Sequence, residues 1–168
     1  MHMRQTMNES PSVIDQLEHD HLTLTRLVED LRVAIQDVLR GDREALDVRD
    51  ELGEFLSVAE EELYEHFDRE EQVLFPYITE VNPEAEAAIA KLEHAHDRMC
   101  GAMSRMARIV EQDDEGFASS FDALVALFAR FDANFGRHAK EEVALFRSLG
   151  SRLEPAELER LRELLAQI

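Results

Sequence analysis

The stretch Leu63–Pro76, LYEHFDREEQVLFP, decides how the rest of the sequence is read. It places His66 four residues before Glu70, and residues at i and i+4 stand one above the other on the same face of an α-helix. Apolar residues extend that face, with Leu52, Phe55, Ala59 and Leu63 before the histidine and Val73 and Tyr77 after the glutamate. An imidazole and a carboxylate therefore interrupt a stripe that ought to be core. Isolated buried charge is costly, so the pair calls for a partner. One His-x-x-x-Glu is weak evidence, because helices are rich in glutamate. A second copy is stronger, and Asn134–Leu149 supplies it with His138 and Glu142, again inside an apolar stripe.

Working outward, the remaining helices fall into place around these two. A polar, aperiodic tail over residues 1–11 precedes helix 1, where Ser12 and Asp15 suit a capping arrangement. The helix 1 stripe is Ile14, Leu17, Leu24, Val28, Leu31 and Ile35, with His21 between Leu17 and Leu24. Gly41 ends it and Asp42 caps helix 2, which runs from about Arg43 to Ile78, with a kink or an early end expected at Pro76. Asn82-Pro83 opens helix 3, whose stripe is Ile89, Leu92, Met99, Met103, Met106 and Val110, with His96 inside it. After a turn at Gln112–Gly116, helix 4 spans Phe117 to Leu149 and stops at Gly150. A short amphipathic helix from Pro155 to Ile168 closes the chain, packed across an end of the bundle.

No stretch alternates with period two, so the fold class is all-α. An internal repeat sharpens this. IDQLEHDHLTL from Ile14 matches IAKLEHAHDRM from Ile89, which superposes His21 on His96. Helices 2 and 4 align at an offset of 72, His66 on His138 and Glu70 on Glu142. Two similar hairpins fold most simply into an antiparallel up-down four-helix bundle over residues 12–150, with residues 151–168 as a fifth helix. The stripes must face one another, which turns His21, His66, Glu70, His96, His138 and Glu142 toward the axis. Four histidines and two glutamates converging there form a metal constellation. Their donors suit Fe, Mn, Co or Zn, and six exceed what one structural zinc needs. Two metals fit better, each with two histidines and the glutamates between them.

Bulk properties agree. The 37 acidic residues against 18 basic give a net charge of −19, which repels phosphate backbones and anionic lipid and argues against nucleic-acid or membrane partners. Solubility is the plain reading of this acidity, and attraction of cations to an internal site the sharper one. Cys100 is the single cysteine, so no internal disulfide forms. With no signal peptide or membrane-length apolar run, the expected location is cytoplasmic.

His21, His66-x-x-x-Glu70 followed by EQVLFP, His96, and His138-x-x-x-Glu142 followed by VALF resemble the hemerythrin-like, or HHE cation-binding, domain. The resemblance runs from about Ile14 to Leu149. It implies a non-haem di-iron centre with those six residues as ligands and Glu70 and Glu142 bridging two irons that also share an oxide or hydroxide. Oxygen-carrying hemerythrins have a fifth histidine one turn from the helix 3 ligand, where this sequence has Leu92 and Cys100. They also have an aspartate where Val143 stands. These departures argue against a reversible oxygen carrier. The set is similar to bacterial members that handle nitric oxide, peroxide or iron release, and the expectation is of a bundle without the N-terminal cysteine-bearing domain usual in the iron-centre repair members. Helix 4 has one residue fewer than helix 2 between its histidine and its Leu-Phe.

Accessory candidates are Glu62, Met103, Tyr77 and Cys100. Glu62 stands four residues before His66 on the ligand face; a comparable glutamate in the iron-repair relatives is linked to iron movement, and the plain alternative is a solvated end of the acidic EEEL run. Met103 is placed to shield the centre from water, while Tyr77 and Cys100 read first as core. His19 and His94 lie about 200° around their helices from His21 and His96, and so face solvent. Three functional readings follow. One is a di-iron protein, an oxidoreductase or sensor, that meets a small oxidant (O2, NO or peroxide). Another is an iron buffer or store without turnover. A metal-free helical interaction module is a third. The sequence names no protein partner.

Overall fold

Gly41 takes the one positive φ among the described residues, +83°, a left-handed conformation that glycine adopts without steric cost. Its N–H bonds Val38 O at 3.0 Å and that of Asp42 bonds Asp37 O at 2.9 Å, a pairing that satisfies the last carbonyls of a helix. That helix, α1, spans Leu22–Arg40 in a computed structural model that describes residues 22–167. The expected tail, the helix start at Ser12 and Asp15, and both His19 and His21 lie outside the described residues. Within α1, Leu24, Val28, Leu31 and Ile35 are buried, as their spacing requires.

Helix α2, Arg49–Arg69, begins later than the sequence suggests. A 3-10 turn at Ala45–Val48 comes first, closed by reciprocal bonds between Glu44 and Asp47. Glu44 therefore takes the capping role expected of Asp42. Arg49 then fastens the start of α2 to the far end of the next long helix. Its guanidinium donates to Val110 O at 3.0 and 2.7 Å and to Asp114 at 2.9 Å.

Past Arg69 the chain stays helical but changes pitch. Glu70–Leu74 is a π turn, and α3, Phe75–Val81, continues from it. The N–H of Phe75 reaches Glu70 O, five residues back. The kink or early end expected at Pro76 is replaced by this widening, which relieves the pressure of the proline ring on the preceding turn. The extra residue also explains the broken repeat. The offset between the two halves is 72 at His66 and His138 but 71 at Leu74 and Leu145. Val73, expected on the apolar stripe, is instead 46% exposed, while Leu74 and Phe75 are buried. The π turn carries the first out and the next two in.

A 3-10 turn at Pro83–Ala85 leads into α4, Glu86–Val110, which buries Ile89, Leu92, His96, Met99, Met103 and Met106. The helix expected to run unbroken from Phe117 is two. Asp113 caps α5, Asp114–Ser119, by accepting the Gly116 N–H at 2.8 Å, and α6, Phe121–Gly150, follows a break at Ser120. The break lets Phe117 and Phe121 both reach the core. Last, α7 spans Pro155–Leu165, opened by reciprocal bonds between Glu154 and Glu157.

The described residues form helices and no strand, so the all-α class holds. The interior consists of two apolar clusters. One joins residues of α1, α2, α4, α5 and α6, with Phe55 set edge-on against Phe128 and Phe131. The other gathers Leu74, Phe75 and Ile78, Ile89 and Leu92, and Leu145, Phe146 and Leu149, covered by Leu161, Leu164 and Leu165 of α7. No described helix is long and apolar enough to cross a membrane.

Candidate metal centre

Between those two clusters the polar intruders meet. His66 and Glu70 leave α2 and the π turn, His96 leaves α4, and His138 and Glu142 leave α6; all five are buried, with Glu70 at 0% exposure. His66 Nε2 lies 3.0 Å from Glu70 Oε1, and His96 Nε2 lies 3.1 Å from Glu70 Oε2. The Nε2 atoms of His96 and His138 are 2.7 Å apart. On α6 the histidine and glutamate are looser, with His138 Nδ1 3.9 Å from Glu142 Oε2. Donor atoms of Glu70, His96 and His138 fall within 4.8 Å of one another, and so do those of His66, Glu70 and Glu142. Glu70 belongs to both groups. Of the six residues picked out by the sequence, these five come together, while His21 lies outside the described residues.

Residues 12–149 match the family model of the hemerythrin HHE cation binding domain. This chain belongs to the hemerythrin HHE cation-binding family. No curated protein and no solved structure matches it. Membership brings metal binding, with iron the usual ion.

The residues of this HHE domain fit a cation on their own chemistry. Both Glu70 oxygens are fully buried and lack an aligned hydrogen bond, although histidine nitrogens stand close by. A buried carboxylate left so is costly unless a cation completes it. Burial alone would push the Glu70 carboxyl up, but His66, His96 and Glu142 beside it pull it well below the usual carboxylate range. The ionised form that binds metal is therefore the one the pocket favours.

His96 is the most constrained member. The Phe67 ring stacks on it at 3.8 Å between centroids and 12° between planes, and Phe75 lies nearly parallel at 5.9 Å. Its other nitrogen, Nδ1, is 2.7 Å from Glu71 Oε1. Sequence reasoning passed over Phe67, Phe75 and Glu71. The signal available was the extra residue after Glu70, which marks the helix that departs from its twin.

The accessory candidates separate. Glu62 is half-buried with one oxygen, Oε2, inside and without a hydrogen bond, and burial, then neighbouring Glu61, pushes its carboxyl up. Met103 is fully buried in the first apolar cluster, about 10 Å along α4 from His96 at 1.5 Å per residue. The Tyr77 hydroxyl donates to Glu157 O at 3.1 Å and so ties α3 to α7. Cys100 is half-buried, and burial, then Asp97 and Glu71, pushes its thiol up to about 11. A thiol so protonated is a poor nucleophile. His94 is exposed, as its position on the helix requires.

Proposed function

We propose that this chain is a non-haem di-iron protein that reacts with or senses a small oxidant such as O2, NO or peroxide. The observation that carries the reading is the sharing of Glu70 by two groups of donors. One carboxylate serving two triads is the arrangement a pair of cations needs. The ligands in this reading are His21, His66, Glu70, His96, His138 and Glu142, with Glu70 and Glu142 as bridges and an oxide or hydroxide between the irons. The scaffold is an antiparallel up-down four-helix bundle over residues 12–150 with the C-terminal helix packed on it. In support, apolar faces of α1, α2, α4 and α6 share one core cluster and short turns join the elements.

Bound iron would supply redox equivalents and Lewis acidity to the oxidant. The chain's own groups do the rest. Imidazoles from separate helices and the Glu70 carboxylate hold the donors in place before the ion arrives. Phe67 and Phe75 cover the faces of His96 and keep water from its ring. The donor set contains no cysteine and rests on buried carboxylates, which balance ferric charge.

Metal analysis and the visible spectrum of protein expressed in iron-rich medium test this. A pair of irons per chain, with a bridged-iron absorption that bleaches on adding peroxide or nitric oxide, is the expected result. Iron that leaves readily without turnover points instead to a buffer or donor. Glu62 favours that second reading, since its buried oxygen is carried one helical turn before His66. Metal-free protein from the same medium overturns both.

A further inference from the structure

Four of the contacts that fix His96 within the protein come from a single nine-residue run, and the π turn is what gathers them. Phe67 stacks on the ring and Phe75 runs parallel to it. Glu70 approaches Nε2 at 3.1 Å, and its sequence neighbour Glu71 approaches Nδ1 at 2.7 Å. In a regular helix successive side chains diverge by about 100°. The widened turn brings adjacent carboxylates to opposite nitrogens of one imidazole.

We propose that Glu71 is a positioning residue for the metal centre, holding the proton of His96 on Nδ1 so that the Nε2 lone pair faces the interior donors. This rests on reading that cluster as an iron site. An ionised carboxylate only accepts hydrogen bonds, so at 2.7 Å the proton belongs to Nδ1. His96 Nε2 lies 2.7 Å from His138 Nε2 among the interior donors, and with the proton on Nδ1 its lone pair is the one offered to a cation. A carboxylate behind a ligand imidazole both orients it and raises its basicity.

Two features set Glu71 apart from the many surface glutamates of this acidic chain. It straddles the boundary, its side chain 41% exposed while that of His96 is 3% exposed. His96 is also the one group it bonds among the described residues. The twin helix has no counterpart, since the offset of 72 puts Val143 in its place and α6 has no widened turn.

The test reads the ring before the metal. In 15N-labelled metal-free protein, the His96 ring shifts should report Nδ1–H in the parent and in Glu71→Gln, whose amide oxygen still accepts the proton. Glu71→Ala should release the ring to a mixture of tautomers. Iron(II) affinity, read by competition with a chelator, should fall about tenfold to a hundredfold in Glu71→Ala, with Glu71→Gln between it and the parent. Unchanged ring shifts, or equal iron affinity, in Glu71→Ala overturns the role of Glu71 while the metal centre stands. A parent that takes up no iron overturns both.

Discussion

Glu70 is the most enclosed member of the candidate centre, with both of its buried oxygens beside histidine nitrogens from two helices. Glu70→Ala is expected to abolish binding of at least one iron, as is His138→Ala, whereas His94→Ala should leave both bound; iron per chain by elemental analysis decides it. Loss of iron in His94→Ala would contradict the placement of His94 outside the cluster. Cys100 offers a second check at this scale. With its thiol pushed up to about 11, only about a thousandth is thiolate at pH 8. Alkylation of the native protein should be far slower than after unfolding, and Cys100→Ser should keep its iron. These side chains were legible in the sequence because histidine and glutamate are conspicuous on an apolar stripe. Glu71 was not, since nothing in a run of acidic residues tells which one turns inward.

Among the elements, the π turn has the widest consequences. It absorbs the residue by which the two halves differ, and it turns out Val73 while bringing in Leu74 and Phe75. Deletion of Gln72 should convert it to a regular helical turn, for α6 already buries Leu145 and Phe146 in that register. The deletion protein should keep its helical circular dichroism yet lose iron affinity. A variant that binds iron like the parent would show the widened turn to be incidental. The link between α3 and α7 is open to pH. Burial, then Glu157, holds the Tyr77 phenol above its ordinary value of 10.0, so the neutral form is the one the fold favours. What the hydroxyl contributes is present below that ordinary value and is lost as pH rises through the raised one. Tyr77→Phe should cost about 1 kcal/mol at neutral pH and remove this alkaline loss, as denaturant melts at rising pH would show. Helix existence was readable from period and caps, but the break at Ser120 and the 3-10 entry at Ala45 were not. Both depend on tertiary demands, the burial of Phe117 beside Phe121 and the seating of Arg49 on Val110 O, that no local pattern carries.

For the whole molecule, the repeat made the convergence of the ligand-bearing helices readable, because two like hairpins bury their stripes most simply against each other. The partition of the interior was hidden. Each stripe reads as continuous, yet the buried residues form two separate clusters, with Phe67, Ala95 and Phe131 in one and Leu74, Leu92 and Leu145 in the other. The polar layer lies between them. Only the second cluster includes α7, and no described residue of α1 belongs to it.

A band of ionisable groups between two bodies of hydrocarbon is a natural plane of parting. With no cation to weld it, the end made of α3, α7 and the adjoining tips of α4 and α6 should open on its own, before α1 and α2 do. Backbone amide exchange in iron-free protein is expected to be fast in α3 and α7 and slow in α2, with iron loading drawing the two rates together; equal protection at both ends without iron would refute this. Filling the seam with an ion should then stiffen a tip of the molecule well away from it, so that occupancy at the centre is expressed as the looseness of one end.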